Sequence, residues 1–167
     1  HRVVLTALGL DDSEELFELI DSERVRLGKW LGFVSSVKSV EDVEARRRTN
    51  LAKRRQGTLF DYAICISAAD QTRTIIGACG VFGFSEDGRS CEIGYWIGQA
   101  YEGVGLTTEA VIGLQQACFH QGIEEVRISC LPENERSSAI PRRLGYRCKK
   151  QSGTDLVFVL RADASSS

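Results

Sequence analysis

Apolar positions along the chain change their period several times, and each change marks an element. The opening VVLTAL is a short apolar run that predicts a strand, and Asp11, Asp12 and Ser13 follow as N-cap material. In LFELIDSERVRLGKWL the apolar residues recur at helical spacing, at Leu16, Phe17, Leu19 and Ile20 and again at Val25 and Leu27. One helix through this stretch is the expectation. Ser39 with Asp42 makes a capping-box pattern that opens a second helix, running to about Gln56. TLFDYAICIS, TIIGACGVFGF and SCEIGYWIG then favour β-branched and aromatic residues, separated by the turn chemistry of AADQTR and SEDGR. They predict three strands in an antiparallel meander.

Beyond the meander, Ala110, Val111, Leu114, Ala117 and Cys118 share one face of a helix, with Gly122 as its stop. VRISCL reads as a short strand. Asn134 caps a further helix that ends near Leu144, before Gly145, and YRCKK and DLVFVLR are two final strands. The order β-α-α-β-β-β-α-β-α-β-β carries no internal repeat. It predicts one α+β domain over residues 1–162, with a mixed, mostly antiparallel sheet of about seven strands and about four helices. The polar residues 163–167 are expected to be a disordered tail.

Composition narrows the partners. With 167 residues, 43% hydrophobic and 26% charged, the chain reads as an ordinary soluble domain able to bury a core without metal or disulfides. A net charge of −2 excludes nucleic-acid binding through a global basic field, and no sequence-specific nucleic-acid role is expected. The six cysteines form no C-x-x-C pair and mostly lie in apolar stretches, so they read as buried thiols in a reducing, cytoplasmic compartment rather than as metal ligands. No apolar run has the length of a membrane span and no signal peptide is visible; an opening without Met is consistent with a trimmed start. The helix at 40–56 is strongly basic, with Arg46, Arg47, Arg48, Lys53, Arg54 and Arg55. It is either a solvated face balanced by Glu41, Asp42 and Glu44 or a docking surface for rRNA or an acidic partner.

Candidate chemistry gathers around YEGVGLTTEA at 101–110. A dinucleotide fingerprint needs a third glycine where Thr108 stands, and a P-loop needs a Lys followed by Ser or Thr, so both nucleotide readings fail. Gly103 and Gly105 still allow a sharp turn into a helix whose first N–H groups lack intrahelical acceptors. Such a turn suits an anion and equally suits a plain corner.

The surrounding order decides in favour of the anion. EIGYW at 92–96, the glycine turn at 103–110, NERS at 134–137 and AIPRRLGY at 139–146 together resemble the GNAT family of acetyl-CoA-dependent N-acetyltransferases. Its branch of ribosomal-protein N-terminal acetyltransferases is the nearest in pattern, and GKWLGFV resembles that family's tryptophan-bearing segment. The resemblance implies a GNAT-like fold in which strand 4 splays from strand 5. It also implies acetyl-CoA as co-substrate and no metal. The amides of Gly103, Val104, Gly105, Leu106, Thr107 and Thr108 would hold the coenzyme pyrophosphate, and the backbone of Ile93, Tyr95, Trp96 and Ile97 would pair with the pantetheine arm. Ser137 would give a proton to the departing coenzyme sulfur, with Asn134 beside it positioning pantetheine or water. Capping explains the same two residues locally. Glu92 would be a base acting through water, and Trp30, Phe33 and Tyr95 would line the acceptor pocket unless they are core.

Two departures stand out. Glu102 and Val104 occupy positions where the family favours a neutral or cationic residue. A carboxylate ~8 Å from a pyrophosphate would repel it by about 2 kcal/mol before screening. Glu102 is therefore expected either to face solvent or to weaken binding, and Glu102→Gln to tighten it. The acidic segment that branch members carry between the last two strands is reduced here to KKQSGTD, with Asp155 remaining, and that role is not transferred. Cys130 as an acyl carrier is disfavoured, having no histidine close in sequence. The acceptor is expected to be an α-amine: with a pKa near 8 it is about one-tenth neutral at pH 7, whereas lysine needs roughly 4–5 kcal/mol to reach neutrality.

Overall fold

The computed structural model describes residues 2–67, 73–150 and 154–162; the expected tail at 163–167, most of the AADQTR turn and part of KKQSGTD lie outside them. The order is β1 (Val4–Ala7), α1 (Ser13–Ser22), α2 (Arg24–Leu27), α3 (Val40–Arg55), β2 (Leu59–Ser67), β3 (Arg73–Phe82), β4 (Ser90–Ile97), α4 (Leu106–His120), β5 (Glu125–Cys130), α5 (Glu135–Arg143), β6 (Arg147–Lys150) and β7 (Leu156–Arg161). Short 3-10 turns lie at Gly32–Ser36 and Gln99–Tyr101. The strands form one sheet in the order β1-β2-β3-β4-β5-β7-β6. β4 and β5 run parallel, as the helical crossover α4 requires, while β1–β2, β5–β7 and β6–β7 are antiparallel. The register of β4 on β5 covers three pairs only, Ser90–Glu92 against Glu125–Arg127, although both strands run on beyond it. Their pairing ends there.

Two compact units divide the chain: His1–Gly80 with Tyr95–Ala110, and Val81–Gly94 with Val111–Ser167. In the first, Leu16, Ile20, Leu27, Val34, Val43, Ala63 and Ile75 form a buried cluster, with Phe33 and Trp96 packed against it. In the second, Ile93, Val111, Val126, Ile128 and Phe158 are fully buried. Five cysteines are buried thiols as expected, whereas Cys148 is exposed. On α4 the expected face is buried at Ala110, Val111, Leu114 and Cys118, but Ala117 falls at its margin and is exposed.

The stretch expected to be one helix is two. Glu23 leaves the helical region at φ −109° and ψ 6°, so the chain turns between α1 and α2. The restart rotates the apolar face: Leu27 is buried at 2% exposure, whereas Val25, expected beside it, is 83% exposed. Asp12 is the residue at the start of α1, but its side chain makes no cap bond; it accepts from the Gly9 N–H and pairs with Arg73. The second helix is capped as expected, with Ser39 and Asp42 completing the capping box.

The basic helix differs most from its sequence pattern. Arg47 is buried and donates to Asp61 at 2.5 Å, Arg54 donates to the Asp61 carbonyl at 2.6 Å, and the Arg46 guanidinium lies over the Phe33 ring. These three cations hold the helix to its own unit. Arg46, Arg48, Lys53 and Arg55 are exposed, and the docking expectation is left with them.

Gly77 fixes how closely β3 can approach the end of β4. A Cβ there would strike the Trp96 carbonyl and come within 2.8 Å of the Ile97 Cα, both rigid backbone. Gly77→Ala should therefore cost about 1–3 kcal/mol in urea unfolding, the range for forced overpacking. An unchanged midpoint would show that the backbone yields freely.

Candidate functional site

In the first unit, β4 ends at Ile97 and the chain passes through Gly98 and the Gln99–Tyr101 turn into the glycine stretch. Gly103 and Gly105 sit at φ 79° and 87°, a region that side chains with a Cβ rarely enter, so the glycines are there for backbone shape. α4 begins immediately, at Leu106. Its first turn therefore presents backbone N–H groups and the positive end of the helix dipole at the turn. Leu106 is buried and Val104 is 57% exposed, so neither side chain brings a polar group to it.

Glu102 corrects the sequence expectation. It neither faces open solvent nor stands as a bare charge, because Oε1 accepts from Arg26 Nη1 at 2.8 Å and the side chain is only 18% exposed. A second acid beside the turn is handled the same way. Glu109, in the first turn of α4, accepts from the Arg2 N–H at 3.1 Å and from its guanidinium. These bonds hold the Glu109 carboxyl below its ordinary range, the backbone donation being the larger cause. Arg2 also lies against the turn, with Nη2 at 3.2 Å from where a Gly105 Cβ would stand. Neither arginine was found by sequence reasoning. An acid in an anion-binding turn signals that a cation must neutralise it, but nothing local says which of 21 Lys and Arg residues does so.

Other residues of this unit divide between site and core. Tyr95 and Trp96 are half-buried and Ile97 is buried, so Ile97 has only its backbone to offer a ligand. Phe33 and Trp96 pack on the core cluster, whereas Trp30 is 37% exposed. Phe33 is half-buried, with one side on that cluster.

The second unit carries the other group of candidates. Asn134 caps α5, its Oδ1 accepting from the Ser137 N–H at 3.1 Å. The Ser137 hydroxyl hydrogen-bonds the Cys130 sulfur at the end of β5. Burial pushes the Cys130 thiol up despite that bond, which keeps it a poor nucleophile. Glu92 lies in the third position of β4, half-buried and beside Gly83, in register with Arg127. Arg127 itself donates to Ser90 at 2.7 Å and to the Gly83 carbonyl at 2.9 Å. Ile93 is fully buried. Asn134→Ala should cost about 1 kcal/mol of stability through the lost cap, read by urea unfolding. A loss near zero would mean that the Asn134 side chain is held for something other than the cap.

The sequence profile of the acetyltransferase (GNAT) domain matches residues 2–147. The chain belongs to the GNAT acetyltransferase family. It is 30% identical over 154 residues to a Bacillus subtilis (strain 168) protein named "Putative ribosomal N-acetyltransferase YdaF", covering 87% of this chain and 78% of that protein. Among solved structures, RimL, a ribosomal L7/L12 alpha-N-protein acetyltransferase in complex with coenzyme A in a cysteine disulfide, matches with a TM-score of 0.87 at 21% identity, over 98% of this chain and 96% of that one. The microcin C7 self-immunity acetyltransferase MccE, in complex with acetyl-CoA and AMP, matches with a TM-score of 0.85 at 19% identity, over 96% and 93%. These two likenesses concern the fold. Among the described residues no cluster of three or more His, Cys, Asp or Glu could hold a metal, and no helix is long and apolar enough to cross a membrane.

Proposed function

We propose that the chain is an acetyl-CoA-dependent N-acetyltransferase whose acceptor is the α-amine of a protein or peptide N-terminus. The observation that carries the coenzyme is the turn at Gly103–Gly105, with both glycines at positive φ and α4 starting directly behind them. The amides from Gly103 to Thr108 take the pyrophosphate, and the backbone of β4 from Ile93 to Ile97, past the last residue paired with β5, takes the pantetheine arm. The amine attacks the thioester carbonyl directly and forms a tetrahedral intermediate. Its collapse breaks the carbon–sulfur bond, and the Ser137 hydroxyl donates a proton to the departing sulfur and regains one from water. Asn134 holds that hydroxyl's helix turn in place, and Glu92 receives the amine proton through water.

The names of the ribosomal-protein relatives support a protein terminus as acceptor, and so does the chemistry: one base is enough for an amine already partly neutral at pH 7. A small amine such as a polyamine or an antibiotic is the alternative. A non-catalytic acetyl-CoA-binding or interaction module is the alternative of another class, prompted by Glu102 and by the reduced acidic segment between the last two strands; the pairing of Glu102 with Arg26 answers the first of these. Calorimetry with acetyl-CoA and a thiol-release assay should be run over terminal peptides of ribosomal proteins, polyamines and aminoglycosides. Binding with turnover on the peptides is expected. Turnover only on small amines would move the acceptor class, binding without turnover would favour the module, and no binding would overturn the whole reading.

A further inference from the structure

Three hydrogen bonds tie α2 and the residue before it to the segment leading into the glycine turn, and a fourth joins Arg26 to Glu23. Arg26 Nη1 donates to Glu102 Oε1 at 2.8 Å and Nη2 to the Ile97 carbonyl at 2.7 Å. Its Nε donates to Glu23 Oε2 at 2.5 Å, and the other Glu23 oxygen accepts from the Gln99 N–H at 2.7 Å. The contacts therefore reach the end of β4, the 3-10 turn and the residue next to Gly103. All three side chains are largely withdrawn from water, Glu23 at 14%, Glu102 at 18% and Arg26 at 25% exposure. The break at Glu23 that splits the first helix is what lets Glu23 and Arg26 meet this segment together.

We propose that Arg26 and Glu102, with Glu23 orienting the guanidinium, are positioning residues for the coenzyme. They hold the glycine turn in its binding shape and keep the Glu102 charge directed at Arg26 and off the pyrophosphate. This rests on the turn being the pyrophosphate site. The turn itself is built on two glycines with many accessible conformations, so an external tether lowers the ordering cost of binding. Electrostatics adds to that. A carboxylate at this range would act against a pyrophosphate, and a guanidinium bonded to it offsets most of the field. Glu102 is thus part of the phosphate apparatus although it cannot touch a phosphate favourably. Its sequence position looks like a defect only while Arg26 is out of view.

The proposal predicts a reversal of sign. In the wild-type background Glu102→Gln should weaken acetyl-CoA binding about three- to tenfold, because the charged tether is lost. Arg26→Met should weaken it about tenfold or more, by leaving two carboxylates without their cation beside the turn. In the Arg26→Met background the same Glu102→Gln change should tighten binding, because Glu102 has then lost the cation that offsets its charge. The Arg26→Met penalty should also shrink as sodium chloride rises from about 0.05 to 0.5 M, which a general loss of packing would not do. Calorimetry with acetyl-CoA reads all four proteins, with thermal melts confirming that each is folded; Glu102→Gln, being nearly isosteric, serves if Arg26→Met does not fold. Tighter or unchanged binding for Glu102→Gln in the wild-type background would overturn the tether. A wild-type protein that binds no acetyl-CoA would overturn the pyrophosphate site, and the tether with it.

Discussion

Ser137→Ala is expected to lower kcat for acetyl transfer by about 10²-fold, the usual loss for a general acid, while the acetyl-CoA Kd moves less than about twofold. The argument begins with the leaving group. A thiol of ordinary pKa near 8.5 leaves as a thiolate, and a donor placed at the sulfur stabilises that charge while it forms. Ser137 is the third residue of α5 after its Asn134 cap, so it sits within the first turn, where the helix dipole favours negative charge. Its hydroxyl bonds the Cys130 sulfur in the same unit. The substitution is clean because the bond to the cap uses the Ser137 backbone N–H, which alanine keeps. Stability should therefore change little, and a rate loss can be assigned to the hydroxyl. Thiol release under saturating acetyl-CoA measures it; an unchanged kcat would remove Ser137 from the proton transfer and leave it as a capping residue.

What could be read beforehand divides along a physical line. The Ser39–Asp42 box, the Asn134 cap and the glycine turn into α4 are local, each written within a few residues, and the structure has all three. The sheet was legible because strand patterns and turn chemistry are local too. The Glu23 break was not: Val25 continues the helical apolar period faithfully, and only packing decides that it faces outward. Charges were the least legible. Arg2 meets Glu109 across 107 residues and Arg26 meets Glu102 across 76. Periodicity says that such residues are polar and nothing about which partner each will find. The departures of this chain from its family's glycine-turn pattern were therefore visible in sequence, whereas the arginines beside them were visible only in the fold.

The basic helix gives the largest expected loss of stability. Asp61→Ala should destabilise the protein by about 3–5 kcal/mol in urea unfolding, the range for removing one partner of a buried ion pair. Asp61 Oδ2 accepts from Arg47 at 2.5 Å and from the Asn50 amide at 2.6 Å, and the Arg47 side chain is only 7% exposed. Alanine would leave a guanidinium and an amide buried without that acceptor, and neither can reach water without moving α3 off β2. A pair built this way is costly to break and far less costly to replace. The double change Arg47→Met with Asp61→Ala should therefore be more stable than Asp61→Ala alone, since methionine fills much of the arginine volume and carries no charge to desolvate. Such a recovery would show that α3 spends its central arginine on docking to its own sheet, which withdraws Arg47 from any external partner. If Asp61→Ala cost less than about 1 kcal/mol, Arg47 would have an alternative route to solvent, and the helix would regain the cation that a ribosome-facing surface needs.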